Sequence, residues 1–342
     1  MVRASVVAAR HHTTQPDLPN IGVGSRSLAS QARAMVESLQ RLGFDVTERC
    51  QPIVSGATAP ATDVDLAIIE FDQTAPTDAR FMAEVSALQS AGVPLIVRHH
   101  DVEKSSDVFS KLPSTSLVHA AINLRSRREL IALGFCDVAL LPHTFDVKTE
   151  LAATSTRQSV RDDLGIEADA ILLLQPTRIS ERKNLAGSVR YLQLLARILP
   201  PERLHFWATG PVDPDFQDLF DKLVPHIPTQ STIRGATNIG HAYEACDAVL
   251  YPTTGERFGA VIFESIRARR PCIAGSYPAL GEFQAQGIQL FTLDDPAELV
   301  KFLAKPTPRL HDVNQRRAAL AFGPDVFDAA LRATIGQLKA IA

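Results

Sequence analysis

The sequence predicts an α/β protein made of two doubly wound domains. Its 342 residues exceed what one ordinary hydrophobic core holds, which favours two domains. Short apolar runs alternate with segments of helical periodicity, a pattern typical of parallel sheets covered by helices. Charged and polar residues follow several of these runs, at the edge of the sheet where such folds bind ligands.

Composition places the chain among ordinary globular proteins and excludes some functions. Hydrophobic residues make up 45% of the chain, charged residues make up 21%, and the net charge of −3 predicts no nucleic-acid partner. The four cysteines show no C-x-x-C spacing, so we interpret them as reduced thiols rather than a disulfide frame or zinc site. No stretch suits a membrane span or a signal peptide, and we expect a cytoplasmic protein without an integral membrane segment. The cysteines are Cys50, Cys136, Cys246 and Cys272.

The first half of the chain repeats a strand followed by a helix. Gly22 and Gly24 lie where a polar loop meets the first helix, and glycine there allows the tight first turn of a doubly wound domain. A lone G-x-G is weak evidence for a ligand site, because the need for glycine in a tight turn explains about half of this signal. The predicted strands cover 2–9, 42–46, 65–71 and 94–101, and the predicted helices cover 25–42 and 77–92.

Three polar residues end the strand predicted over 94–101. His99, His100 and Asp101 fall at the carboxyl end of this strand, where the ligand crevice of an open α/β sheet lies. Two adjacent histidines also suit a metal ion, but the sequence nearby has no further metal-ligating residues at a suitable spacing. We therefore favour a histidine that contacts a donor sugar or an acceptor. A histidine that only hydrogen-bonds the loop backbone stays an equal alternative.

The second half opens with the apolar run ILLL at 171–174, which predicts a strand buried on both faces. Arg178 and Lys183 follow at the ligand-binding end of this strand. An arginine and a lysine on one loop suit a diphosphate, because the guanidinium offers a bidentate fork and the ammonium a point charge. Two solvated surface cations are the alternative.

A further strand–loop–helix unit lies downstream, where the apolar run at 245–252 ends in a proline. Glu256 lies in the loop, and Glu264 lies on the helix that follows. The backbone N–H groups at the start of this helix suit a phosphate. Carboxylates on either side suit a ligand with hydroxyl groups at both ends, such as a nucleotide sugar. The N–H groups belong to Phe258, Gly259 and Ala260.

These residues resemble a known family. Arg178 and Lys183, then Glu256-x7-Glu264, then RRPCIAG at 269–275, resemble the retaining glycosyltransferases of the GT-B fold, particularly family four (group 1). The resemblance implies two Rossmann-like domains that face each other across a cleft. We expect an acceptor-side domain over 1–146, a donor-side domain over 147–324, and a final helix over 325–342 that crosses back to the first domain.

The resemblance also implies roles for single residues. Arg178 and Lys183 would neutralise the donor diphosphate, Glu256 would contact sugar hydroxyls, and Glu264 would hold the ribose. His100 is our further catalytic candidate. The other donor-binding candidates are Gly22, Gly24, Gly210, Gly235, Phe258, Gly259 and Ala260.

The implied activity is transfer of a hexosyl group with retention at the anomeric carbon. The donor would be a UDP- or GDP-sugar, and the acceptor a glycan, a lipid-linked molecule or a small molecule, in polysaccharide or glycoconjugate biosynthesis. Attack would come from the face of the leaving group, assisted by its phosphate. We expect no cofactor and no metal, because two cations and a helix terminus would serve one diphosphate. Peripheral contact at the inner membrane face is compatible with the family.

The sequence departs from the family pattern at two loops. Thr177 and Asn184 stand where the family usually has glycine, before the arginine and after the lysine. The stretch GSYPALGE at 275–282 replaces a usual Gly-Gly pair. These altered glycines leave open a catalytically impaired subunit that binds sugar nucleotides. A GT-B enzyme of another reaction class, such as a sugar-nucleotide epimerase, is the second alternative.

Overall fold

A computed structural model describes the chain at 2–10, 23–52, 64–71, 79–102, 109, 117–147, 156–236 and 238–341. The chain divides into two compact units. The first consists of Met1–Phe145 with Phe322–Ala342, and the second is Asp146–Ala321. The C-terminal residues therefore belong to the first unit.

The first unit contains a six-stranded parallel sheet in the order β2-β1-β3-β4-β5-β6. Its strands are β1 Val2–Arg10, β2 Phe44–Pro52, β3 Leu66–Phe71, β4 Leu95–His99, β5 Leu117–Ala121 and β6 Ala139–Leu140. Its first three described helices are α1 Val23–Arg41, α2 Ala79–Ser90 and α3 Leu124–Ala132. Helix α1 begins before Gly24, so this residue lies in the first turn of a helix rather than in the predicted loop. Gly22 lies outside the described residues.

The second unit also contains a six-stranded parallel sheet, in the order β12-β11-β10-β7-β8-β9. Its strands are β7 Ile171–Gln175, β8 Leu204–Ala208, β9 Gln230–Ile233, β10 Ala248–Tyr251, β11 Cys272–Ala274 and β12 Phe291–Thr292. Its helices are α4 Arg157–Asp163, α5 Leu185–Leu195, α6 Gln217–Leu223, α7 Ile239–Ala245, α8 Ala260–Arg267, α9 Leu280–Ala285, α10 Pro296–Ala304 and α11 Pro308–Phe322.

Each sheet contains a point where the strand order reverses. In the second sheet this point lies between β7 and β10, which are hydrogen-bonded neighbours although three helices and two strands separate them in sequence. In the first sheet it lies between β1 and β3. Open α/β sheets bind ligands outside the strand ends at such a point. The loops that follow β7 and β10 are therefore the favoured site of the second unit.

Helices cover both faces of the first sheet. Alternate residues of β3 enter two separate cores, because successive side chains of a strand point to opposite faces. Ile69 packs in the core that includes α2 and α3. Ile68 packs in the core that includes α1 and the last helix, α12 Pro324–Ile341. The predicted doubly wound α/β class is confirmed. No helix in the described part of the chain is long and apolar enough to cross a membrane.

Candidate functional site

The loops that follow β7 and β10 are tied together by hydrogen bonds. The Arg182 carbonyl accepts from Thr253 Oγ1 and from the Thr254 backbone N–H, both at 3.1 Å. Asn184 Nδ2 donates to the Pro252 carbonyl at 3.0 Å. These bonds hold the basic residues of the first loop against the acidic residue of the second.

Lys183 and Glu256 form the centre of this arrangement. Lys183 Nζ donates to Glu256 Oε1, and Arg182 Nη1 lies 2.7 Å from the same oxygen. The Lys183 side chain is 15% exposed and that of Glu256 is 14% exposed, so most of the pair is shielded from water. Burial would raise the pKa of Glu256, but Lys183 and Arg182 outweigh it and lower that pKa. Glu256 is therefore held as a carboxylate, which accepts hydrogen bonds.

Glu264 also affects the pKa of Lys183. Burial lowers the pKa of the Lys183 ammonium, and Glu256 opposes that effect more strongly than Glu264 does. Its Nζ lies 5.6 Å from the centre of the Tyr251 ring, within the range of a cation–π contact. The two glutamates predicted from their spacing therefore act on the same cation.

Arg178 has a different carboxylate partner. The backbone of Ile179 bonds to the loop after β8 through Pro211 at 2.8 Å and Asp213 at 2.9 Å. This pairing brings Arg178 Nε within 2.7 Å of Asp213 Oδ1. Gly210 makes the approach possible, because a Cβ there would lie 2.1 Å from the Thr177 carbonyl oxygen. Gly210 thus shapes the arginine loop by close packing of backbone on backbone.

Arg178 lines a surface depression of about 550 Å³ in the second unit. Arg182, Asp213 and Asp215 lie along the same depression. Its volume falls in the range of small-molecule sites, about 300–1,000 Å³. Basic and acidic groups thus share one wall, so an anionic ligand would compete with the carboxylates for the arginines.

The start of helix α8 has the geometry of an anion site. Gly259 caps the helix at φ 111°, and as a glycine it offers no side chain to accept a hydrogen bond from the first turn. The left-handed φ favours glycine, and a Cβ there would also lie 2.4 Å from Tyr277 Oη. Phe258 is buried and stacks on Phe263, so only its backbone suits a ligand. Ala260 is the first residue of the helix, where unpaired N–H groups attract anions.

Glu264 lies further along the same helix and is hydrogen-bonded to a buried tyrosine. Tyr243 Oη donates to Glu264 Oε2 at 2.6 Å. Gly235, which was expected to admit the base or the ribose, lies in an exposed loop directly after β9. Trp207 Nε1 anchors this loop by donating to the Arg234 carbonyl at 2.8 Å.

A second polar cluster lies in the first unit, around His100. His100 Nε2 bonds to Glu70, and His100 Nδ1 lies 2.8 Å from His143 Nε2. Arg98 Nη1 lies 3.2 Å from the other oxygen of Glu70, and both of these side chains are fully buried. Both ring nitrogens of His100 are thus engaged within the unit, so contact with a sugar hydroxyl would require one of them to exchange its partner.

His99 points into the core instead. It is fully buried, and its Nε2 lies 2.9 Å from His119 Nδ1. Its ring also contacts those of Phe71 and Phe109. Of the two adjacent histidines, His100 is therefore the better candidate for a ligand contact. Among the residues that the structure describes, no group of three or more His, Cys, Asp or Glu side chains could hold a metal ion.

A family profile matches part of the second unit. A family profile described as "Glycosyl transferases group 1" matches residues 172–305, a segment that contains both loops and helix α8. The matched segment is less than half of the chain and lies within the second unit. The resemblance drawn from Arg178, Lys183, Glu256 and Glu264 is thereby confirmed, whereas the role of each residue stays a proposal.

Among curated proteins, this chain is similar to mannosylglucosylglycerate synthase of Thermotoga maritima. The two are 24% identical over an alignment of 231 positions, which covers 61% of this chain and 54% of that protein. The match thus spans about half of the length of this relative.

Solved structures share the fold of this chain. The crystal structure of HepE of Anabaena in complex with UDP and glucose is 17% identical, and the likeness covers 98% of this chain and 100% of that one, with a TM-score of 0.66. Sucrose-phosphate synthase from Thermosynechococcus elongatus is 14% identical, with 99% and 100% covered and a TM-score of 0.68. The prediction of the GT-B class is confirmed.

The structure explains one departure from the family pattern and shows partners that the sequence did not reveal. Asn184 adopts a left-handed φ of 59°, a conformation that asparagine tolerates better than most residues, and its side chain accepts from Gly187 N at 3.0 Å to cap α5. It thus occupies the position of the usual glycine and adds a helix cap that glycine would lack. Arg182 was detectable as a neighbour of Lys183, whereas Asp213 and Tyr243 gave no local signal.

Proposed function

We propose that this protein is a glycosyltransferase that transfers a hexosyl group from a nucleoside diphosphate sugar to an acceptor hydroxyl, with retention. The observation that carries this proposal is the Lys183–Glu256 pair beside the start of helix α8, at the switch point of its sheet. The pair supplies a cation for the leaving diphosphate and a carboxylate for the sugar hydroxyls. The helix terminus supplies N–H groups for a phosphate.

A UDP-sugar is the donor that we favour, with a GDP-sugar as the second candidate. HepE, which shares the fold, has been solved with UDP and with UDP-glucose. Glu264 would accept hydrogen bonds from the ribose, and Gly235 would lie beside the base. The acceptor is a glycan, a lipid-linked molecule or a small molecule.

Leaving-group stabilisation drives the proposed reaction. As the bond from the anomeric carbon to the phosphate oxygen breaks, negative charge grows on the diphosphate, and Arg178 and Lys183 oppose it. For this, each cation exchanges its carboxylate partner, Asp213 or Glu256, for phosphate oxygens. The acceptor oxygen bonds to the same face of the sugar, and its proton passes to the leaving phosphate.

Two alternatives predict different products from the same assay. Incubation with UDP-glucose or GDP-mannose, without acceptor, should release nucleoside diphosphate and free sugar by slow hydrolysis. Proton NMR recorded at once should show the sugar with its original anomeric configuration. A binding subunit would release nothing, and an epimerase would return an epimerised sugar nucleotide. Lys183→Ala is the control, because loss of the leaving-group cation should abolish the release.

Peripheral contact with a membrane would involve helix α3. Leu124 and Ile131 are 46% and 50% exposed, and their seven-residue spacing places them on one helical face. Arg127 and Arg128, also exposed, flank them, so the stripe suits an anionic lipid surface. Co-sedimentation with vesicles that contain phosphatidylglycerol should fall for Ile131→Ser. The control Leu320→Ser alters an exposed leucine of α11 and should bind vesicles normally.

A further inference from the structure

Tyr243 is a buried tyrosine whose hydroxyl reaches the carboxylate assigned to the ribose. It lies on α7 with no exposed surface, and its Oη donates to Glu264 Oε2 at 2.6 Å. Burial and the neighbouring carboxylate both raise the pKa of this tyrosine well above its ordinary value. The hydroxyl therefore keeps its proton and serves as a donor to Glu264 at any physiological pH.

The backbone around Tyr243 is anchored by hydrogen bonds that do not involve Glu264. Its carbonyl accepts from Arg270 Nε at 2.9 Å and from Cys246 Sγ at 3.4 Å. Arg270 Nη2 also donates to the Glu244 carbonyl at 2.9 Å. These bonds hold the end of α7, so the backbone that carries the tyrosine is anchored without Glu264.

A fixed donor on one oxygen determines how the Glu264 carboxylate is oriented. The terminal torsion of a glutamate is broad and roughly two-fold, so an unsupported carboxylate samples many orientations. A ribose presents two neighbouring hydroxyl groups. One carboxylate can accept hydrogen bonds from both of them only when the plane of the carboxylate is correctly oriented. Each carboxylate oxygen has two lone pairs, so an oxygen that accepts from Tyr243 can still accept a hydrogen bond from a hydroxyl group.

We propose that Tyr243 is a positioning residue that orients Glu264 toward the two ribose hydroxyls, so that the site selects ribonucleotides over deoxyribonucleotides. This inference rests on the proposed role of Glu264. The alternative is that the hydrogen bond only ties α7 to α8. A purely structural bond would affect stability and would not affect the choice between ribose and deoxyribose.

Calorimetry with UDP, GDP and ADP and their 2′-deoxy counterparts tests the proposal. The wild-type protein should bind its preferred ribonucleotide about tenfold or more tightly than the deoxy form, because one hydrogen bond to a charged group is lost. In Tyr243→Phe the affinity for the ribonucleotide should fall about tenfold, and the two forms should bind within about twofold of each other. Tyr243→Met provides a second replacement without a donor.

Two further variants separate the possible failures. Tyr191→Phe is the matched control, because it removes the hydroxyl of another buried tyrosine of the same unit and should leave the preference for ribose unchanged. Glu264→Gln should lose the preference. If it retains the preference, or if no nucleotide binds, the proposed role of Glu264 fails. If Glu264→Gln loses the preference while the Tyr243 variants keep it, Tyr243 is structural only. A wild-type protein that binds both forms equally overturns the inference without any variant.

Discussion

Arg178 Nε lies 2.7 Å from Asp213 Oδ1, so the arginine proposed to bind the donor diphosphate is already bound to a carboxylate. Lys183 is held in the same way by Glu256, on the loop after β10. A diphosphate must therefore displace acidic side chains from both cations. Because half of the Arg178 side chain is exposed, its pair with Asp213 is the weaker of the two.

Removal of the Asp213 charge should tighten nucleotide binding. We expect Asp213→Asn to lower the dissociation constant for UDP by about two- to fivefold, because an exposed ion pair is worth about 0.2–1 kcal/mol. Isothermal titration calorimetry measures the change. Asp215→Asn removes the same charge from the same depression and serves as the control for long-range electrostatics. Equal effects of the two substitutions would argue against direct competition at Arg178.

Arg178 and Lys183 should act mainly on turnover. Their interaction with the diphosphate strengthens as negative charge grows, so each alanine substitution should reduce kcat by about 10²–10³. The double variant should lose less than the product of the single losses, because both cations act on one group. Arg178→Lys should restore part of the rate. A near-normal kcat with a raised KM for the donor would contradict this role for either residue.

Substitution of Glu256 should lower turnover without weakening nucleotide binding. Glu256→Ala removes the proposed acceptor for sugar hydroxyls, so kcat should fall steeply. The same change frees Lys183 from its carboxylate partner, and UDP should bind with equal or higher affinity. Donor hydrolysis and calorimetry on one preparation measure both effects. A marked loss of UDP affinity would show instead that Glu256 supports the nucleotide site.

Catalysis should not require a divalent cation. The two cations and the helix terminus would neutralise the charge that a metal otherwise carries. Activity should therefore survive treatment with EDTA. If activity is lost in EDTA, Asp213 and Asp215 are the carboxylates to examine, since they form an Asp-x-Asp sequence beside Arg178. Activity lost to the chelator and restored by manganese would disprove metal independence.

Stability should fall between about pH 6.5 and pH 4 because of the buried histidine pair. Burial lowers the pKa of His119 to about 4 and that of His99 well below its ordinary value. In this window the unfolded chain binds protons that the folded chain does not, so the free energy of unfolding decreases as pH falls. Each such histidine contributes a slope of up to about 1.4 kcal/mol per pH unit.

Urea unfolding at pH 7 and pH 5, followed by circular dichroism, tests this expectation. His119→Gln should show a smaller decrease between the two pH values than the wild-type protein. His226→Gln replaces an exposed histidine and should behave like the wild type. An unchanged pH dependence in His119→Gln would mean that this histidine does not titrate differently on folding.

Local pattern was enough to predict the elements that carry the candidate site. The apolar runs predicted β7 and β10 because a strand buried on both faces of a parallel sheet needs continuous apolar sequence. Gly259 marked the start of α8 for a local reason too, since the helix begins through a left-handed residue. The family resemblance rested on the residues that follow these strands.

Tertiary structure decided which of those residues meet. Lys183 and Glu256 lie 73 positions apart, and they pair because the strand order places β7 beside β10. The bond from Tyr243 to Glu264 and the engagement of both His100 nitrogens likewise depend on elements distant in the chain. Sequence periodicity reports on burial and local conformation, whereas contacts between elements follow from sheet topology and packing, which no local pattern encodes.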